Sequence, residues 1–168
     1  GGRGPFCCAD RAIGRARHCR HLRSLLQAAV EGGSLYLIKP SRGELEKLVG
    51  QTLPTIDDIE RAASTLVQSG KCENVAVTLG PDGALLANAQ GCFSLSAIPV
   101  NASSAVGAGD SFVGGMVFAL AAGASIKEGF RRGLAAATAT VLSPGTDLCQ
   151  KADVDRLLAQ IATSTPAI

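Results

Sequence analysis

The sequence predicts an α/β protein with a doubly wound sheet held between layers of helix. Three observations point there. Residues 35–38 and 74–79 are short, predominantly apolar runs, as strands covered on both faces require. Helical patterns alternate with these runs along the chain, which favours strand–helix–strand layering. The loops leaving the strands, at 39–44 and 80–83, hold a lysine, a glutamate and glycines, at the strand ends where a doubly wound sheet places its ligands.

The elements follow in order. A short helix over 25–30 ends at Gly32-Gly33. Strand 35–38 stops at Pro40, which has no amide hydrogen for a ladder, and a short helix covers 44–49. Thr55 caps a longer helix: Asp57 and Asp58 complement the dipole in its first turn, while Ile59, Ala62, Ala63, Leu66 and Val67 form its buried face. Gly70 ends it. After strand 74–79 and the loop 80–83, residues 84–87 and 92–96 read as a hairpin turning near 88–91, and 97–100 as a further short strand. Phe112, Val113, Met116, Val117 and Leu120 recur at helical spacing, so a helix covers 109–122, thinned by Gly114 and Gly115 where something comes close. Ser125-Ile126-Lys127-Glu128 is a capping box for a helix running to about Leu142. Gly129, Gly133 and its alanines keep that helix shallow, for close packing or nucleotide approach. A last amphipathic helix spans 153–161.

Composition narrows the class. The chain has 168 residues, enough for one domain of ordinary size, and 46% are hydrophobic. Mean hydropathy is +0.24, as a packed globule has. No apolar run approaches a transmembrane length, and no signal peptide is visible. Cys72, Cys92 and Cys149 are scattered and form no disulfide framework, so they read as small apolar residues in a reducing, cytoplasmic setting. Aromatic content of 4% argues against a base-stacking nucleic-acid surface. Neither a nucleic acid nor a membrane is expected as a partner.

Chemistry concentrates in Ser104-Ala105-Val106-Gly107-Ala108-Gly109-Asp110-Ser111-Phe112. Glycines let a backbone approach a ligand closely and align successive N–H groups, and the helix that starts here adds its positive dipole end. Asp110 cannot bind phosphate directly, because like charges repel. It fits as the base that takes a proton from a hydroxyl whose oxygen attacks phosphorus. The turn therefore reads as a phosphoryl-transfer site. The competing structural reading is a glycine-rich turn with an ordinary first-turn acid. The chain holds no Gly-x-x-x-x-Gly-Lys-Ser/Thr, and Gly-x-Gly-Asp lacks the third glycine of a dinucleotide fingerprint.

Val106-Gly107-Ala108-Gly109-Asp110-Ser111-Phe112 resembles the C-terminal signature of the PfkB (ribokinase-like) carbohydrate kinases. Other segments agree, in the family's order. Residues 37–45, with Lys39-Pro40-Ser41 and Glu44, resemble its Lys-Pro-Asn-x-x-Glu-Leu stretch. Residues 77–84 resemble its nucleotide-loop motif, and Ser143-Pro144-Gly145-Thr146 its late loop near the adenine and the monovalent-cation site. Residues 145–149 are most similar to the minor bacterial 6-phosphofructokinases of the family.

The resemblance covers 25–168 and implies the C-terminal half of a ribokinase-like three-layer α/β/α fold, with the lid domain absent. It implies Asp110 as catalytic base and the amides of Gly107, Ala108 and Gly109 as the anion hole for the transferring phosphoryl. Lys39 would touch the ATP phosphates, and Glu44 would help hold magnesium through water. Ser41, Thr78, Gly80, Pro81, Gly83, Ser104 and Gly145 would line the nucleotide. ATP and Mg2+ are the implied cofactors, with K+ as a candidate ion. The implied reaction is ATP-dependent transfer to a sugar-phosphate hydroxyl, with fructose 6-phosphate as acceptor and a homodimer as the full-length assembly. Ser41 departs from the family's asparagine, reaching less far with fewer donors. Two alternatives stay open: a family kinase for another acceptor (ribokinase, adenosine kinase or tagatose 6-phosphate kinase type), and a non-catalytic ATP-binding fragment.

Residues 1–24 read differently. Six arginines against Asp10 alone give +5, leaving −3 for the remainder to reach the chain's +2. Both histidines, His18 and His21, and three cysteines, Cys7, Cys8 and Cys19, lie there without a hydrophobic period. A metal- or nucleic-acid-binding tail, a targeting peptide, and an out-of-frame start are the three readings. The last is preferred, because the family-like pattern begins abruptly near Leu25.

Overall fold

The computed structural model describes residues 35–101, 104–143 and 149–164. The expected helix over 25–30, the basic segment 1–24 and the late loop with Gly145 and Thr146 lie outside the described residues.

A four-stranded sheet runs in the order β1 (Leu35–Ile38), β2 (Cys72–Thr78), β3 (Ala84–Asn88), β4 (Gly91–Leu95). β1 and β2 are parallel, with Leu37 opposite Asn74 and Ile38 opposite Val75. β2–β3 and β3–β4 are antiparallel, so the sheet is mixed. The hairpin expected over 84–96 is present, turning through Ala89-Gln90.

Strand periodicity sends alternate residues to opposite faces, and here both faces are covered. Val75, Val77, Leu85 and Ala87 pack with Leu45, Leu53, Ile59, Ala62, Ala63 and Leu66. Those residues belong to α1 (Arg42–Val49), α2 (Ile56–Gln68) and the loop between them. Ala76, Ala84 and Leu86 face the other way, onto Phe112, Met116, Phe130, Leu134, Leu157 and Ile161. That layer consists of α3 (Ala108–Ala121), α4 (Ile126–Leu142) and α5 (Lys151–Ser164). The result is a three-layer α/β/α arrangement.

Local signals set the helix starts. Thr55 with Asp58, and Ser125 with Glu128, close full capping boxes. α3 and α4 pack closely because glycines face each other's helix. A Cβ at Gly133 would stand 2.7 Å from Met116 Cγ, and one at Gly115 would stand 2.8 Å from the Arg132 carbonyl oxygen. Close packing is thus the role of Gly133 and Gly115, whereas Gly114 faces open space. Phe112 and Phe130 meet edge to face at 5.7 Å, joining the two helices beneath the sheet.

Two expectations are corrected. Residues 97–100 form no strand. Pro99 has no amide hydrogen for a ladder, and Ile98 instead packs onto the α3–α4 side of the core. β1 is only half-buried, with Tyr36 46% exposed, because among the described residues it pairs with β2 alone.

Candidate active site

The site forms where the chain leaves β1 and β2 and where α3 begins. Lys39 follows β1 directly. Pro40 accepts a hydrogen bond at 3.0 Å from the Thr78 amide, and Ser41 and Thr78 make an isolated parallel bridge. The ends of both parallel strands are thereby held side by side. Two residues after Thr78, Gly80, Pro81 and Asp82 form a single 3₁₀ turn on the same sheet edge. Gly83 closes it at φ 104°, and its amide returns to the Gly80 carbonyl at 3.2 Å.

The glycine turn comes from far along the sequence. Gly107 is the N-cap of α3 at φ 79°, a left-handed conformation that a side chain would strain. The first helical bond runs from the Ser111 amide to the Gly107 carbonyl at 2.9 Å. The amides of Ala108, Gly109 and Asp110 therefore precede the intrahelical ladder, the donors that a helix start presents to an anion. The Ala108 amide also leans on the Ala105 carbonyl at 3.4 Å, so it is the least available of the three. Ser104 shapes the approach: its hydroxyl accepts from the Val106 amide at 3.2 Å. Asp110 stands exposed in the first turn.

Lys39 connects the two regions. Its ammonium lies 3.3 Å from where a Cβ on Gly109 would stand. A point positive charge thus sits against the positive end of a helix. Like polarity gathered in one place favours an anion beside it. Lys39 and the first turn of α3 thus stand together, and Asp110 lies in that same turn.

Glu44 sits differently from the expectation. Its Oε2 accepts from the Ser41 amide at 2.7 Å and the Ser41 hydroxyl at 3.0 Å, closing a capping box on α1. No hydrogen bond or ion pair engages its Oε1 among the described residues, so that oxygen can still face a cation's water shell. No group of three or more His, Cys, Asp or Glu residues forms a metal site among the described residues. Magnesium here would rest on a single carboxylate plus phosphate oxygens, as that hard cation commonly does.

Residues 21–153 match the pfkB family of carbohydrate kinases. The chain belongs to this family. It is 42% identical over 137 residues to the ATP-dependent 6-phosphofructokinase isozyme 2 of Escherichia coli K12, covering 82% of this chain and 44% of that protein. The isozyme 2 of Mycobacterium tuberculosis is 37% identical over 168 residues, covering 96% of this chain and 50% of that one. Among solved structures, the E. coli phosphofructokinase-2 in complex with substrates and products superimposes with a TM-score of 0.79 at 41% identity. That match covers 83% of this chain and 45% of that one. The chain spans about half the length of the curated relatives it matches.

One residue of this PfkB chain that supports the turn, Thr140, lies outside every motif. Thr140 and Ser111 meet at 2.6 Å between their hydroxyl oxygens, joining α4 to α3. The only available signal was a β-branched hydroxyl residue, a poor helix former, among the alanines of α4.

Proposed function

We propose that this chain is the nucleotide-handling part of an ATP-dependent PfkB kinase acting on a sugar phosphate, with the C1 hydroxyl of fructose 6-phosphate as acceptor. The observation that carries the reading is the Lys39 ammonium against the Gly109 turn. The likeness to isozyme 2 phosphofructokinases supports the acceptor.

Each residue then has a physical task. Lys39 and the amides of Gly107, Ala108 and Gly109 receive the negative charge of the transferring group. Such preorganised donors are each worth about 3 kcal/mol to a transition state. Asp110 takes the proton of the attacking hydroxyl. Thr78, Gly80, Pro81 and Gly83 bring backbone close to the nucleotide, Ser104 and Gly145 border it, and Ser41 sets the direction of α1. Glu44 orients water around magnesium, which when bound neutralises charge on the terminal phosphates. K+ belongs with the late loop that follows α4. In the full-length protein a homodimer is the assembly proposed.

The test is radiolabelled phosphoryl transfer by the complete gene product across fructose 6-phosphate, tagatose 6-phosphate, ribose and adenosine. Preferred transfer to fructose 6-phosphate supports the reading; preference for another acceptor moves the chain to a different branch of the family. Asp110→Asn should lower turnover by orders of magnitude while ATP affinity holds. Near-normal turnover would reject Asp110 as base. One fact favours a second reading, an ATP-binding fragment without turnover: the chain spans 44% of its E. coli relative. Calorimetry showing MgATP binding by the 168-residue chain, with no transfer to sugar, would support it.

A further inference from the structure

We propose that Thr140 is a positioning residue: its hydroxyl pins the phosphate-binding turn of α3 to the last turns of α4. The proposal rests on the reading of that turn as the phosphoryl site, and it adds a residue that no signature motif contains.

The geometry is specific. Thr140 is 5% exposed, and its Oγ1 lies 2.6 Å from Ser111 Oγ and 3.0 Å from the Ala136 carbonyl oxygen. A hydroxyl carries one proton. Thr140 therefore donates to Ser111 Oγ or to the Ala136 carbonyl, and the Ser111 contact is the shorter of the two. Ser111 directly follows Asp110, and its amide makes the first helical bond of α3, to the Gly107 carbonyl. The methyl group reaches the other side of the turn: Thr140 Cγ2 is 3.8 Å from where a Cβ on Gly107 would stand. The next residue of α4 completes the clamp, since the Val141 carbonyl accepts from the Ser104 amide at 3.5 Å. The end of α4 thus holds the glycine turn before and after the anion-binding amides.

Polar contact inside an otherwise apolar helix pair is directional in a way that apolar packing is not. A mid-helix threonine can be satisfied by its own i−4 carbonyl alone. The contact to Ser111 is therefore additional, and its consequence falls on the turn. Losing it should loosen Gly107–Asp110 while leaving the sheet unchanged.

The experiment compares the wild-type chain with Thr140→Val, Thr140→Ser, Ser111→Ala and the Thr140→Val/Ser111→Ala double variant. The readouts are backbone amide order parameters by NMR and MgATP affinity by calorimetry. Thr140→Val, which keeps the shape, should lower the order parameters of Gly107–Asp110 by about 0.2 from a rigid value of ~0.85. It should weaken MgATP about five- to tenfold, and Val75 and Leu85 should stay unchanged. Thr140→Ser should restore both readouts. Ser111→Ala should match Thr140→Val, and the double variant should add little, as for two ends of one contact. Unchanged turn dynamics in Thr140→Val, additive effects in the double variant, or no rescue by serine would each overturn the proposal. If the wild-type chain shows no saturable MgATP binding, the phosphoryl-site reading fails, and the order parameters still decide the role of Thr140.

Discussion

The Lys39 ammonium stands 3.3 Å from the position a Cβ on Gly109 would take, although the two residues lie on different elements and far apart in sequence. An alanine at 109 would press on a side-chain end that can move. Because Gly109 lies in the first turn of α3, Gly109→Ala should favour the helix by roughly 0.5–1 kcal/mol. It should also push Lys39 away from that turn. The expected outcome is an equal or higher melting temperature with MgATP affinity reduced severalfold. Lower stability, or unchanged affinity, would contradict this.

Gly83 has no such latitude. Its φ is 104°, and a Cβ there would lie 2.0 Å from the Leu95 carbonyl oxygen. Backbone on the β4 side would have to move. Gly83→Ala should cost about 3 kcal/mol, the upper end of ordinary single substitutions. Urea denaturation should show a lower midpoint at unchanged slope. A near-neutral result would mean that the 3₁₀ turn does not pack against the end of β4.

Glu44 is assigned two tasks, and one substitution separates them. Glutamine also serves as the third helical residue of a capping box. Glu44→Gln should therefore keep the cap and the melting temperature close to wild type while removing the charge offered to magnesium. Magnesium-dependent gain in ATP affinity should shrink. If it stays whole, Glu44 acts only as the partner of Ser41.

Burial pushes the Cys72 thiol up from 9.0 to about 11. A folded-state value above the unfolded one means that the contribution to stability is complete below about pH 9. It declines as pH rises towards 11, because the unfolded chain loses its proton first. Thermal unfolding from pH 8 to pH 10.5 should show a steeper loss for wild type than for Cys72→Ala. Parallel curves would remove Cys72 from the account.

Much of this was legible from the residues themselves. Thr55 before two aspartates and Ser125 three before Glu128 announced their helices, because capping is a local bargain between neighbours. Ser41 and Glu44 carry the same spacing, yet their capping box was hidden behind the magnesium role that the family resemblance implied. Tertiary facts were not legible. Apolar residues 97–100 looked like a strand, but Pro99 and the packing of Ile98 against the helices decided otherwise. The motifs named Lys39 and Gly109 separately; only folding puts the end of β1 beside the start of α3. Thr140 was invisible because nothing in a run of alanines says which turn a hydroxyl will meet.

The measurement that bears most directly on the whole account is titration of MgATP into the 168-residue chain and into Lys39→Met by calorimetry, with amide shifts of Gly107, Gly109 and Asp110 followed in parallel. Saturable binding that moves those amides, and that weakens at least tenfold in Lys39→Met, is the expected result. Binding that leaves the three amides unmoved, or equal affinity in the two proteins, would place the phosphates elsewhere.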